Sequence, residues 1–560
     1  MRFPSPLRSR RSFLNSSISL LLLNLYVSSF GQAASSARET DICVYGGTSA
    51  GVIAAVQAAK LGKRVLLVEP GKHLGGMSVE GLGGTDIDNH KEFQNSPAVG
   101  GLALEFYRRV SVVYKREAAF DEMVRTRSKK GGMWSFEPHV AEAIFDDWVK
   151  EAGVTALREH RLLEVGGVKK DGARIVSIQC ENGTEIRAKT FIDSTYEGDL
   201  MAFSGVSFAV GREGNAKYGE TKNGIRLDSS HSRLDKKIDP YKIPGDAKSG
   251  VIFGVSRDPL GEHGAPNEAI QGFSFRLCLT QKPENRLPLE KPASYDISRY
   301  ELQRRYLAAG GVITPPGPGV PNGKTDPGSW HVLAGYLTGA NHHWNTASYE
   351  ERARLLRDSL EYVKGLHWFL SNEPEVPEAT RVKWSQWGPC RDEFKDNNGW
   401  PRMFYVRNGR RLVSDFVETE AHGRKENPLP IDDSIGLVSW PHDLHNARRV
   451  IKDGAVWNEG AVFNSKEQDW IPFAQAYRTI VPKASECTNL LTPTCPSMSY
   501  VAYGAFRLEF NFMIAGQSAA TAAALAIDRG VSVQAVHYPE LRAELLRNGA
   551  VLELSDASSK

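Results

Sequence analysis

Asp41-Ile-Cys-Val-Tyr45 is a short apolar run that enters Gly46-Gly47-Thr48-Ser49-Ala50-Gly51. The chain continues through Val52-Ile-Ala-Ala-Val-Gln-Ala-Ala-Lys60 to Val65-Leu-Leu-Val-Glu69. A buried strand, a glycine-rich turn, a helix of small apolar residues and a second strand, all within thirty residues, predict a right-handed βαβ unit with parallel strands. This is the dinucleotide-binding arrangement. Gly46 permits the tight turn and Gly51 lets the helix approach the strand, while Thr48 stands where the usual pattern has its second glycine. Gly47 completes the loop. Ser49, Ala50 and Gly51 open the helix, whose unpaired N–H groups and positive end suit a pyrophosphate. Glu69 follows Gly51 by eighteen residues, placed to accept hydrogen bonds from a ribose. Its charge would repel a 2′-phosphate, which argues against NADP. The plainer alternative is a βαβ unit that binds no nucleotide.

Three further features favour FAD over NAD. Leu74-Gly75-Gly76-Met77 follows the second strand, where a glycine pair can pass near the pyrophosphate. Asp193-Ser194-Thr195, before Gly198-Asp199, resembles the later strand that leads back to a flavin. Gly516-Gln517-Ser518-Ala519-Ala520 is read as the opening of a helix whose positive end faces the flavin N1/C2=O side. A single fingerprint in 560 residues leaves no second, nicotinamide-binding domain.

Around this unit, residues 98–150 read as amphipathic helices, and 154–195 as a β-meander with turns at Lys170-Asp171-Gly172 and Glu181-Asn182-Gly183. The middle, about 205–475, differs: it has Pro/Gly loops from Gly310 to Pro327 and nine of the eleven tryptophans. The expected fold is α/β, a Rossmann-like FAD-binding domain of the glutathione-reductase type formed by 40–205 and 475–545. A mixed α+β substrate-binding domain, 206–474, is inserted between them. Residues 1–33 read as an export signal: Arg2, Arg8, Arg10 and Arg11, then an apolar run from Ile18 to Val27, then small residues at Ala33 and Ala34. Ser9-Arg10-Arg11-Ser12-Phe13-Leu14 resembles the twin-arginine form, which carries folded proteins; the alternative is an ordinary signal with a chance arginine pair. The formal charge of +3 falls by four to −1 once that segment is removed, so charge gives no reason to expect nucleic-acid binding. No later stretch reads as a membrane span. The protein is therefore expected in the periplasm or outside the cell, where NAD(P)H is not freely available. The six cysteines form no CxxC and no zinc or iron–sulfur spacing; Cys487 and Cys495 are the one locally plausible disulfide pair.

The chain resembles the FAD-dependent oxidoreductase family whose bacterial members are often labelled xanthan-lyase-like. More distantly, it is similar to fumarate-reductase-type flavoproteins and to the flavin-binding part of heterodisulfide reductase. The blocks that carry the resemblance are Gly46–Gly51, Gly100–Tyr107, Phe136-Glu137-Pro138-His139, Thr195-Tyr196-Glu197-Gly198-Asp199-Leu200, Phe275–Thr280, Val406–Arg411 and Gly516-Gln517. The resemblance implies bound FAD and names no substrate. Many relatives have a histidine at the position of Tyr500, and Met-Glu-Pro where this chain has Leu508-Glu509-Phe510. If that histidine carries a proton in the relatives, this chain either uses Tyr500 instead or has altered chemistry.

Oxidising a C–H bond needs a base for the departing O–H or N–H proton. Trp440-Pro441-His442-Asp443-Leu444-His445 makes His442 or His445 the expected base, with a loop or a structural hydrogen bond as the alternative for each. Arg407, Arg410 and Arg411 are read as binding an anionic substrate or anionic flavin, or as interdomain salt bridges; Arg407 and Arg411 are the catalytic candidates. His73 is a candidate for covalent flavin by proximity alone. His342-His343 is half a metal site without further ligands, so no metal is expected. The tryptophans suggest an aromatic pocket for a sugar or polyol, and core packing accounts for them equally well. The sequence thus reads as an exported oxidoreductase, dehydrogenase or oxidase, passing hydride from a small organic substrate to FAD. An external acceptor (oxygen, quinone or an electron carrier) would reoxidise it. The rivals are a non-catalytic protein of this fold that binds a saccharide or organises a complex, and an NAD-dependent dehydrogenase.

Overall fold

The computed structural model describes residues 37–89, 93–127, 133–230, 232–328, 333, 335–462 and 469–554. The segment read as an export signal lies outside the described residues.

β1 (Arg38–Tyr45) is buried from Ile42 onward, as expected of a strand covered on both faces. The glycine turn leads into α1 (Ser49–Lys60) and then β2 (Val65–Val68), parallel to β1 with Ile42 opposite Val65. α2 (Gly101–Val113), α3 (Glu117–Thr126) and α4 (Pro138–Glu151) follow. β3 (Thr155–Leu157) then adds parallel to β2. β4 (Val168–Asp171) and β5 (Arg174–Gln179) form a hairpin, and β6 (Glu185–Asp193) runs antiparallel to β5 and parallel to β1. The meander is therefore β4–β5–β6, while β3 belongs to the parallel side.

The chain next forms α5 (Asp199–Phe203), β7 (Phe208–Ala209), α6 (Asn215–Tyr218), β8 (Leu279–Thr280), α7 (Glu301–Ala308), α8 (Tyr349–Asn372), α9 (Glu378–Trp384), β9 (Gly388–Pro389), β10 (Arg411–Leu412), β11 (Ser434–Val438), β12 (Arg448–Lys452), β13 (Ala455–Glu459) and β14 (Phe473–Ala476). Their strands pair in antiparallel twos. α8 starts where Ser348 accepts a hydrogen bond from Glu351 N, and Glu350 and Glu351 sit in the positive first turn. Buried ion pairs tie the middle together: Glu459 joins Arg212 and Arg448, and Asp199 joins Arg352 and Arg410.

β15 (Leu490–Leu491) returns to the first sheet beside Phe191 and Ile192 of β6. α10 (Tyr500–Phe506), α11 (Glu509–Arg529) and α12 (Tyr538–Arg547) complete the fold. The order β3-β2-β1-β6, with β15 beside the last residues of β6, makes this a Rossmann-like FAD-binding fold. Its crevice lies where connections leave β1 and β6 in opposite directions.

Two expectations are corrected at α11. The helix opens at Glu509, so Gly516 lies two turns inside it and is not its start. The block Phe510–Ile514 is bulky and, apart from Asn511, apolar, unlike the small residues that signalled the helix, yet it continues the same buried face. By length and mean hydropathy (1.3) α11 could also cross a membrane, contrary to the expectation that no stretch could; 89% of that window is buried inside the fold. Its small residues serve close packing instead. A Cβ on Gly516 would stand 2.3 Å from the Ala50 carbonyl oxygen, so α1 and α11 touch backbone to backbone. An apolar cluster that runs through the middle segment (Phe273, Phe404, Tyr405) also includes Ala50, Met77, Tyr196 and Phe512. The nucleotide loop is therefore packed against the middle of the chain.

Candidate functional site

The loop after β1 is built for close approach. Gly46 has φ +97°, and a Cβ on Gly51 would sit 1.8 Å from the Gly46 carbonyl oxygen. Thr48, the departure from the glycine pattern, has φ −64°, open to any residue. Its hydroxyl caps α1 by accepting from Gly51 N (3.3 Å) and donates to Ser194 O (2.7 Å), tying the loop to the end of β6. Gly75 N donates to Gly47 O at 2.6 Å, and Gly76 lies against the Tyr196 hydroxyl. The glycine pair thus runs beside the first loop, as expected. Glu69 accepts from Gly47 N and Gly71 N, both at 2.6 Å. Burial pushes its carboxyl up to about 7, against the pull of those two bonds.

From the other end of the chain, Ser49 donates to Glu509 at 2.5 Å. Tyr196 donates to the same carboxylate at 2.8 Å, and its oxygen accepts from Met77 N. Burial pushes Glu509 up to about 7. The start of α11 therefore does meet the nucleotide loop, through Glu509. Gln517 instead accepts from Leu102 N (2.8 Å) at the start of α2, and Ser518 donates to Ile435 O. Asp193 organises the turn into α5, accepting from Thr195 N, the Thr195 hydroxyl and Met201 N. Both of its carboxylate oxygens are engaged in this turn, which shapes the crevice.

These residues fit FAD. The loop is pared to backbone where a pyrophosphate would lie, the first-turn amides of α1 face it, and Glu69 stands at the ribose end. FAD, when bound, supplies a two-electron acceptor for the substrate.

Next to this cradle is a buried cluster of guanidinium groups. Arg507, two residues before Glu509, donates to the Tyr405 hydroxyl (2.8 Å) and pairs with Asp443 (3.0 Å). Arg407 lies 4.8 Å from the centre of the Tyr405 ring and 5.4 Å from that of Tyr336. Its guanidinium donates to Gly272 O at 2.5 Å and to Ser274 Oγ at 2.9 Å. Arg276 pairs with Asp326, which also accepts from Gly84 N. A Cβ on Gly81 would sit 2.1 Å from Arg276 O. The loop that carries Gly75 and Gly76 thus continues directly onto this cluster. Burial raises the carboxyls of Asp443 and Asp326, the latter to about 6.

Of the other sequence candidates, His445 and Tyr500 adjoin the cluster through Gln271, whose amide donates to Arg407 O, and the rest make other contacts. His442 is buried, stacks on Phe473 and, among the described residues, makes no hydrogen bond through either ring nitrogen; burial pushes it down to about 4. The groups that act on it are Lys222, Glu420, Asp469 and Arg424, whereas Arg507, Asp86 and Arg407 act on Asp443. Adjacent residues of the extended segment thus face different surroundings. His445 N donates to Gln271 Oε1. The Tyr500 hydroxyl accepts from Gln271 N at 2.8 Å inside the core. Arg411 pairs with Glu213 at 2.6 Å, a salt bridge. His73 engages Glu142 and Asp396 through its two nitrogens. The His342 Nε2–H donates to Ala447 O, and both His342 and His343 line a separate cavity of about 660 Å³ with Arg448 and Arg449. The pairing expected for Cys487 and Cys495 is not formed; all six cysteines are free and buried, Cys487 beside Asn489 and Cys495 beside the Thr195 and Tyr196 carbonyls. Trp344, Trp384, Trp387, Trp400, Trp440 and Trp470 are buried core residues, Trp368 and Trp457 are half-buried, and Trp330 lies outside the described residues.

A carboxylate-rich cluster was not foreseen. Glu137, His139, Asp392 and Glu393 bring ligand-type atoms within 4.8 Å of one another. The cation among them is the Lys324 ammonium, 2.7 Å from Glu137 and Glu393 and 2.8 Å from Asp392. Also missed were Arg507, Tyr405, Glu509 and Asp443. Arg507 and Glu509 would have been found had the helix been read back past its small-residue block.

The profile of a family described as FAD dependent oxidoreductase matches residues 41–545. No curated protein sequence matches the chain. Similar solved structures include L-proline dehydrogenase from P. horikoshii, at 16% identity over 32% of this chain and 59% of that one, with a TM-score of 0.23. The L-amino acid deaminase from Proteus vulgaris is 14% identical over 36% and 54%, with a TM-score of 0.23. NikD, an amino acid oxidase essential for nikkomycin biosynthesis, is 16% identical over 31% and 56%, with a TM-score of 0.22. The chain covers less than two thirds of each of these proteins. With the cradle, the sheet order and a family match that runs from β1 into α12, the chain belongs to the FAD dependent oxidoreductase family.

Proposed function

We propose that the protein is an exported FAD-dependent oxidoreductase that oxidises a small organic substrate held against Tyr405, Arg407 and Arg507. The observation that carries this reading is the three-residue link Arg507-Leu508-Glu509. Glu509 touches the nucleotide loop through Ser49, and Arg507 reaches Tyr405 and Asp443. Hydride lost by the substrate carbon goes to FAD. Asp443 takes the accompanying O–H or N–H proton: it is half-buried, held by Arg507, and raised toward the range useful to a base. An external acceptor (oxygen, a quinone or an electron carrier) then removes the electrons. Export is supported by the basic, apolar and small-residue order of 1–33.

The test is an absorption spectrum of purified protein from about 300 to 550 nm, followed by anaerobic addition of small organic acids, amines, sugars and polyols. Flavin bands that bleach with one class, and an Asp443→Asn variant that keeps the bands but bleaches at least about a hundredfold more slowly, support the reading. Bands that no compound bleaches favour a binding protein of the same fold.

A further inference from the structure

Arg407 is a fully buried cation without a counter-ion. Its side chain has no exposure, and among the described residues its Nε–H has no partner and its guanidinium bonds to the neutral Gly272 O and Ser274 Oγ. Four nearby guanidinium groups have carboxylates: Arg276 has Asp326, Arg507 has Asp443, Arg410 has Asp199 and Arg411 has Glu213. Arg449, which shares the neighbour Tyr336, likewise forms no ion pair among the described residues. Arg407 forms no ion pair among the described residues. Burial, reinforced by Arg507 and Arg276, pushes it down to about 10, so it stays charged at neutral pH. The faces of Tyr336 and Tyr405 compensate only in part. Leaving a charge buried and unpaired is costly, and such a cation is kept where an anion arrives to complete it.

We propose that Arg407, with Arg507 and Tyr405 beside it, binds the carboxylate of the substrate, which is therefore a small organic acid. Pairing selects the ligand. Asp326 and Asp443 pair with Arg276 and Arg507, and Asp86 stands near the cluster without an ion pair to Arg407, so a single carboxylate supplies the partner that Arg407 lacks. A phosphate dianion would bring two negative charges where Arg407 offers one positive charge, close to Asp86, which is half-buried and acts on both Tyr405 and Arg507. A neutral sugar or polyol would leave Arg407 as it is. A carboxylate also matches the planar donor edge of a guanidinium. This inference rests on reading the cluster as the active site.

The experiment titrates acetate, glycolate, inorganic phosphate and glycerol into the FAD-loaded protein and, separately, into the apoprotein. Flavin difference spectra and calorimetry give the affinities. Acetate and glycolate are expected to bind and glycerol not. Arg407→Gln is expected to weaken the carboxylates about tenfold to a hundredfold, with Arg407→Lys in between. Carboxylates that bind Arg407→Gln as tightly as the native protein, or that bind neither form, overturn the proposal, as does tighter binding of phosphate. Should Arg407→Gln not fold, Ser274→Ala serves in its place: it removes one of the two bonds that aim the guanidinium, and unchanged carboxylate affinity there counts against the site. A protein that takes up no FAD refutes the functional reading, while calorimetry on the apoprotein still decides the role of Arg407.

Discussion

Ser49 donates to the Glu509 carboxylate across 460 positions of sequence, and Tyr196 donates to its other oxygen. One buried side chain thus joins the nucleotide loop, the turn after β6 and the start of α11. Glu509→Ala strands two buried hydroxyls, and a loss of about 2–4 kcal/mol is expected in urea unfolding of the apoprotein. FAD affinity should fall with it, and Glu509→Gln should lose less. Native FAD affinity in Glu509→Ala would separate α11 from the cofactor site.

Gly516→Ala improves helix propensity by about 1 kcal/mol yet puts a methyl 2.3 Å from the Ala50 oxygen. Backbone must move, so a net loss of about 1–3 kcal/mol and weaker FAD retention are expected. Gly317→Ala, with no atom within 4 Å of its added methyl, is the control and should be neutral.

What the sequence revealed here, and what it hid, follows from how local each signal is. The βαβ unit, the hairpin at Gly172 and the helices α2 and α4 depend on short periodicities and turn residues, all visible in the chain. The start of α11 was hidden because Leu508 caps it without a polar side chain. α8 had a readable signal, Ser348 three residues before Glu351, in a region read as lacking strong periodicity. At the site, Arg407 was legible as a charge in a motif, whereas its lack of a partner depends on where Glu213 and Asp199 fold. His442 drew attention over Asp443 because composition does not say which way an extended segment turns each side chain.

Glu459 accepts from Arg212 at 2.7 and 3.0 Å and from Arg448 at 3.0 Å, all buried. Glu459→Gln leaves two guanidinium groups without a charge partner. A loss of about 3–5 kcal/mol is expected in the same unfolding assay.

His442 gives a pH dependence with a defined sign. Burial takes it from 6.5 to about 4, so between those values the unfolded chain holds a proton that the folded chain lacks. Its contribution is complete above about pH 6.5 and is lost as the pH falls toward 4, by on the order of 3 kcal/mol. His367, also pushed down to about 4, acts in the same direction. Glu69 and Glu509, pushed up from 4.5 to about 7, act oppositely, costing stability as the pH rises between those values. His442→Leu isolates one part: its stability relative to the native protein should rise steadily from pH 6.5 to pH 4. A constant difference would refute the assignment.

The Lys324 cluster predicts indifference to metal removal. Its ammonium already fills the space among Glu137, Asp392 and Glu393, so a chelator should leave the melting temperature unchanged. Lys324→Ala should destabilise by about 3–5 kcal/mol, part of which a divalent cation restores by taking the ammonium's place.

β6 has two different neighbours along one edge: β5 beside its first residues and Leu490–Leu491 beside Phe191 and Ile192. The second arrives roughly 300 residues after the first. A ribosome adding about 5–20 residues per second needs on the order of half a minute to deliver it. Through that interval the nascent nucleotide sheet has an open edge and no Glu509. Cofactor capture thus waits for Leu490–Leu491 and Glu509, and a chain stopped before Leu490 should remain colourless however well its amino-terminal half has folded.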